Sequence, residues 1–109
     1  MTLSEAQNLV DDWIQEKGVR YFDELTNFTI LVEEVGELAR IFAREYGEQS
    51  YKASDKKYAL ENEMGDVFWV LLALANQTGI KLEEALIKNL EKKNTRDSTR
   101  HIDNPKLNS

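Results

Sequence analysis

Leu31-Val32-Glu33-Glu34-Val35-Gly36-Glu37-Leu38 has an echo in Leu60-Glu61-Asn62-Glu63-Met64-Gly65-Asp66-Val67. Both read Leu-x-x-Glu-apolar-Gly-acid-apolar. In each, two carboxylates stand three residues apart, which on a helix makes them neighbours on one face. At 100° per residue, Ile30, Glu34, Glu37 and Ile41 fall in one stripe beside the apolar stripe of Leu31, Val35, Leu38 and Phe42. Ala59, Glu63, Asp66 and Val70 repeat the arrangement. If the two helices face each other, four carboxylates meet. Acids set into an apolar seam must be protonated, paired or bound to a cation. An oxygen-only donor set with no His or Cys nearby suits a hard ion, Mg²⁺ or Mn²⁺. For a single pair, a solvated helix face is the ordinary reading; the repetition favours a metal site. A mid-helix glycine costs roughly 1 kcal/mol against alanine. Gly36 and Gly65, at matched places, therefore suggest close approach of a helix or ligand.

Working outward, the chain reads as all-α. It has 109 residues, one proline, five glycines and 31% charged residues, the profile of one helical domain. There is no cysteine, so thiolate metal sites and disulfides are out. The formal charge of −6 speaks against a general nucleic-acid or anionic-membrane binder. The apolar run from Val67 to Ala75 is too short to span a bilayer. No basic-then-apolar signal segment opens the chain, so a cytoplasmic protein is expected.

Ser4 and Gln7 offer a capping box for a first helix that carries Ala6, Leu9, Val10, Trp13 and Ile14 at helical spacing. Lys17-Gly18 ends it. Val19 to Thr26 reads as a loop, with Thr26 or Asn27 capping the acidic helix and Gly47 ending it. Ser54 or Asp55 caps a third helix. Its run from Val67 to Ala75 is apolar all round, which demands burial on every side. A domain this small hardly covers it, so a homo-oligomer is expected, with Leu72 at an outward position. A fourth helix begins near Leu82 and turns basic at Lys88, Lys92, Lys93, Arg96 and Arg100. A helix C-terminus favours some positive charge, but five groups exceed that need and suit phosphates. The sole histidine, His101, lies in the polar tail and reads as a bystander.

Glu33-Glu34-x-x-Glu37 followed by Glu63-x-x-Asp66 resembles the signature of the MazG-like all-α nucleotide pyrophosphohydrolases. The likeness runs from roughly Glu5 to Arg100 and includes Leu25-Thr26-Asn27, Arg44-Glu45-Tyr46-Gly47-Glu48 and Gly65-Asp66-Val67. It implies a four-to-five-helix bundle completed by oligomerisation, dimer or tetramer, with the domain over 1–97 and a polar tail over 98–109. It implies hydrolysis of a (deoxy)nucleoside triphosphate to the monophosphate and pyrophosphate, a reaction of nucleotide-pool sanitation. Mg²⁺, or Mn²⁺, would be held by Glu34, Glu37, Glu63 and Asp66, with Glu33 binding a further ion or orienting water. Glu33 or Glu37 is positioned to take the water's proton. Lys92, Lys93 and Arg96 would neutralise the leaving pyrophosphate. Asn27 and Tyr21 are candidate nucleotide contacts. Relatives often carry an Asn-Arg-Arg-Tyr-Pro-like segment after the fourth helix; Asn94-Thr95-Arg96-Asp97 stands here instead.

Three other readings compete. Phosphoribosyl-ATP pyrophosphohydrolases share a related plan. A dinuclear redox bundle needs Glu-x-x-His motifs, which this chain lacks. A non-enzymatic nucleotide sensor would use the acids only to bind metal.

Overall fold

The structure, a computed structural model, describes residues 1–50, 56–96 and 99–108. Four helices are present: α1 (Leu3–Glu16), α2 (Glu24–Tyr46), α3 (Lys56–Thr78) and α4 (Leu82–Arg96), with no strand among the described residues. The all-α expectation holds.

Two caps sit earlier than the sequence reading placed them. Thr2, not Ser4, caps α1: its hydroxyl accepts from Glu5 N at 3.0 Å, and Thr2 N donates back to Glu5 Oε1 at 3.3 Å. Thr2-x-x-Glu5 is itself a capping box, and it adds two residues to the helix. Gln7 is buried, and its amide ties three helices together. Its Nε2 donates to Asn76 Oδ1 at 3.1 Å and Ile80 O at 2.9 Å, while its Oε1 accepts from Leu82 N at 2.9 Å. Asp23, not Thr26 or Asn27, caps α2, accepting from Thr26 N at 2.7 Å. That bond holds the Asp23 carboxyl below its usual value. Gly47 ends α2 as expected. Added side-chain bulk there would run into the carbonyl oxygen of Ala43. The cap expected at Ser54 or Asp55 lies outside the described residues.

The core is small. Ala6, Val10 and Ile14 recur every four residues on α1 and pack on Leu72 and Ala73 of α3, with Tyr21 and Leu82 against them. The bond from Asn27 to Gln77 joins the start of α2 to the end of α3, so these two long helices run antiparallel. Trp13 meets Trp69 edge-on at 5.4 Å. With Gln7 on Asn76, this makes α1 antiparallel to α3 as well.

Leu72 corrects the sequence reading: it is only 4% exposed and lies in the protomer's own core. The outward residues of the apolar run are Phe68, Trp69 and Leu71, together with Met64 one turn earlier. On α2, Leu25, Phe28, Val32, Val35, Phe42 and Tyr46 form a second exposed apolar stripe. Leu31, Glu34, Leu38 and Ile41 face inward instead. The radius of gyration is 17.7 Å, against about 13 Å for a compact domain of this length. The four helices form an open layer rather than a closed bundle.

Candidate metal and nucleotide site

The antiparallel pairing of α2 and α3 sets their acidic segments opposite each other. Glu34, Glu63 and Asp66 each offer a carboxylate oxygen, and these atoms lie within 4.8 Å of one another. Glu34 and Glu63 are half-buried in the seam, while Asp66 opens to solvent. Three of the four expected carboxylates therefore converge. Glu37 stands beside the trio: its Oε2 lies 3.7 Å from Arg40 Nη1, and both side chains are more than half exposed. Glu33 is exposed and outside the trio.

The electrostatics are those of an uncompensated site. Glu63 Oε2 is buried without a hydrogen-bond partner. Burial, then contact with the Glu34 carboxyl, then the charges of Glu34, Asp66 and Glu37 push Glu63 from 4.5 up to about 7. The cluster thus calls for a proton or a cation. A buried, unpartnered oxygen within an oxygen-only donor set fits a hard divalent ion. Gly36 and Gly65 flank the acids, but added side-chain bulk at either would meet nothing within 4 Å. The close approach expected from these glycines does not occur within the protomer.

A pH dependence follows for the metal-free protein. The folded state keeps the Glu63 proton up to about 7, whereas the ordinary value is 4.5. The folded state thus binds more protons between those values, so stability is full below 4.5 and falls as pH rises through about 7. Thermal melts in chelator should show this decline in the wild type. Glu63→Gln should flatten it and melt higher than the wild type above the window; an unchanged pH profile would contradict the assignment.

One helical turn from the acids lies an apolar cavity of about 390 Å³. Ile30, four residues before Glu34, and Trp69, three after Asp66, belong to both neighbourhoods. Trp13, Arg20, Tyr21, Phe22 and Asn27 complete much of its lining. Both expected nucleotide contacts therefore lie at the cavity, but their polar atoms are largely committed. The Tyr21 hydroxyl donates to Asp11 Oδ1 at 2.5 Å and accepts from Asn76 Nδ2 at 3.2 Å. Burial, then the Asp11 bond, pushes that hydroxyl up to about 12. Asn27 is buried, and its Nδ2 donates to Gln77 Oε1 at 2.8 Å and Phe22 O at 3.4 Å. No single stretch of sequence marks this cavity, because its wall combines α1, the 18–22 turn, α2 and α3.

Lys92, Lys93, Asn94 and Arg96 are exposed on the last turns of α4. Helix α4 packs against α1, whereas the acids lie between α2 and α3. Within the protomer the basic end does not join the acid trio.

A family model for the MazG nucleotide pyrophosphohydrolase domain matches residues 22–101. The chain is 42% identical over 99 residues to the Bacillus subtilis protein YpjD, covering 91% of this chain and 89% of that one. It is 32% identical over 95 residues to dCTP pyrophosphatase 1 of Rattus norvegicus, spanning 83% of this chain but about half, 55%, of that longer protein. Among solved structures, the Bacillus-conserved MazG protein, described as a nucleotide pyrophosphohydrolase, superposes with a TM-score of 0.75 at 36% identity, covering 89% and 94% of the two chains. The crystal structure of Bacillus subtilis YpjD gives 0.78 at 40% identity, covering 84% and 94%.

Proposed function

The chain belongs to the MazG nucleotide pyrophosphohydrolase family and is an enzyme of that class, and from that premise we propose that it hydrolyses (deoxy)nucleoside triphosphates to monophosphate and pyrophosphate with Mg²⁺. Mn²⁺ would serve in its place. The observation that carries this reading is the convergence of Glu34, Glu63 and Asp66 around the unpartnered oxygen of Glu63. A triphosphate brings more negative charge to that cluster, which is unfavourable without a divalent cation. When bound, the cation supplies Lewis-acid polarisation of the α-phosphate.

The chain's own groups divide the remaining work. Glu34, Glu63 and Asp66 hold the ion. Glu37, one turn beyond Glu34, adds a ligand if it exchanges Arg40 for the ion. Glu33 and Glu37, outside the trio, are the acids free to hold the attacking water's proton. The aromatic cavity takes the base, with the rings of Tyr21 and Trp69 rather than the Tyr21 hydroxyl making the contact. The domain over 1–97 carries all of these groups.

The basic end of α4 serves a neighbouring subunit. Exposed apolar stripes on α2 and α3 favour a homo-oligomer, dimer or tetramer, that closes the layer. In it, Lys92, Lys93, Asn94 and Arg96 reach the leaving pyrophosphate across the interface. On this account Arg96→Ala weakens binding of a non-hydrolysable triphosphate by about 1.5–3 kcal/mol. Monophosphate binding stays nearly unchanged in titration calorimetry. Equal loss for both ligands, or none for either, rejects the role.

The protein has no helix long and apolar enough to cross a membrane among the described residues; a role in the cytoplasmic nucleotide pool suits that. Similarity to a dCTP pyrophosphatase makes deoxycytidine triphosphate one natural member of a test panel. The panel should hold canonical and modified triphosphates and phosphoribosyl-ATP, each with Mg²⁺ and with pyrophosphate release as the readout. Release from one or more nucleoside triphosphates supports the proposal. Release from phosphoribosyl-ATP alone reassigns the substrate, and no release from any leaves a metal-binding sensor.

A further inference from the structure

The turn that closes α1 is strained. Val19 has φ of 71°, a left-handed conformation that a β-branched residue adopts only when its surroundings impose it. The next residue, Arg20, bonds back through its N–H to Gly18 O at 2.8 Å. Its Nη1 donates to the carbonyl of Tyr21 at 2.9 Å. This compact turn brings Arg20 to the lining of the aromatic cavity.

The order of groups along α2 gives the cavity a direction. Glu34 marks the phosphate end and Ile30 lies one turn away. Asn27 is seven residues from Glu34, about 10 Å at helical rise. Arg20 lies beyond the helix start. A nucleotide with its phosphates at the acid trio therefore points the edge of its base remote from the sugar toward Asn27 and Arg20.

Those two side chains offer opposite chemistry. Asn27 has committed its amide nitrogen to Gln77 and Phe22. What it can offer a ligand is its carbonyl oxygen, an acceptor. Arg20 has five N–H donors and no acceptor, and one side-chain bond goes to its neighbour's carbonyl. The Tyr21 hydroxyl is taken up by Asp11 and Asn76.

Resting on the proposed triphosphate reading, we infer that Arg20 is a specificity-determining residue that selects bases with a ring carbonyl at their outer edge. Uracil, thymine and guanine present that carbonyl beside a ring N–H. The carbonyl accepts from Arg20 at the far end, and the ring N–H donates to Asn27 nearer the helix. Cytosine and adenine present the reverse order, an amine outermost beside a bare ring nitrogen. An amine facing the guanidinium sets donor against donor and forfeits the hydrogen bond that a carbonyl there would accept.

Both tryptophans of the chain line this cavity, so their fluorescence reports entry of a base without any catalytic step. The test titrates dUMP and dCMP into the wild type and Arg20→Ala. The wild type should bind dUMP at least about tenfold more tightly than dCMP. Arg20→Ala should bring the two within about threefold by weakening dUMP. Equal affinities in the wild type, an unchanged ratio in the variant, or no quenching by either nucleotide overturns the inference. Pyrophosphate release measured in parallel keeps the two claims apart. Turnover without base preference removes this inference alone, whereas absence of turnover on every triphosphate removes the reading beneath it.

Discussion

Glu34→Gln and Asp66→Asn are each expected to lower pyrophosphate release by about 10²- to 10³-fold at saturating triphosphate, a loss of the size seen when one preorganised charge-stabilising group is removed. Each change deletes one formal charge from a three-carboxylate site and leaves side-chain volume almost unchanged. The fold should tolerate both. Asp66 is exposed, and Glu34 shares a seam in which the acids repel each other without a cation. The metal-free variants should therefore melt no lower than the wild type, and Glu34→Gln somewhat higher. Raising Mg²⁺ should recover part of the activity by mass action if the lost group is a ligand. Steady-state kinetics over a Mg²⁺ series, with melts in chelator, checks all three points. Turnover near the wild-type level in either variant would remove that residue from the metal site.

Phe68→Glu is expected to break the oligomer without unfolding the protomer. Phe68 is 43% exposed on the outward side of α3 and lies outside the protomer's buried core. A charge placed there in a subunit interface is left desolvated and unpaired, an effect of about 3–5 kcal/mol. Sedimentation should show a smaller particle with helicity retained. Leu72→Glu makes the contrast. At 4% exposed and packed on Ala6, Val10 and Ile14, it should cost helicity as well as assembly. A wild-type protein that sediments as a well-behaved monomer at micromolar concentration would contradict the interface. So would a Phe68→Glu variant that keeps its mass.

That pair of residues also shows where the sequence was readable. The run from Val67 to Ala75 demands burial, but a run apolar on every side carries no periodicity. It cannot say that Leu72 faces α1 while Phe68 faces out. The acidic repeat was more legible, because matched spacing on two helices implied that they face each other. Spacing alone still blurred Glu34 and Glu37. At i and i+3 they differ by about 60° around the helix axis. That rotation is enough to put one in the seam and leave the other beside Arg40. The caps were missed for a local reason: Thr2-x-x-Glu5 and Asp23-x-x-Thr26 compete with equally good signals a few residues on. The aromatic cavity left no trace in any one stretch, since it exists only once α1, α2 and α3 have packed.

The most direct test of the central claim is the ³¹P spectrum of a nucleoside triphosphate, chosen as turned over in the substrate panel, incubated with the protein and Mg²⁺. Cleavage between the α- and β-phosphates, with the ion held by Glu34, Glu63 and Asp66, predicts two new signals, monophosphate and pyrophosphate, growing in a 1:2 ratio of integrals and slowed by about 10²- to 10³-fold when Asp66→Asn replaces the wild type. Orthophosphate and diphosphate in their place, or the same two signals undiminished in the variant, would contradict it.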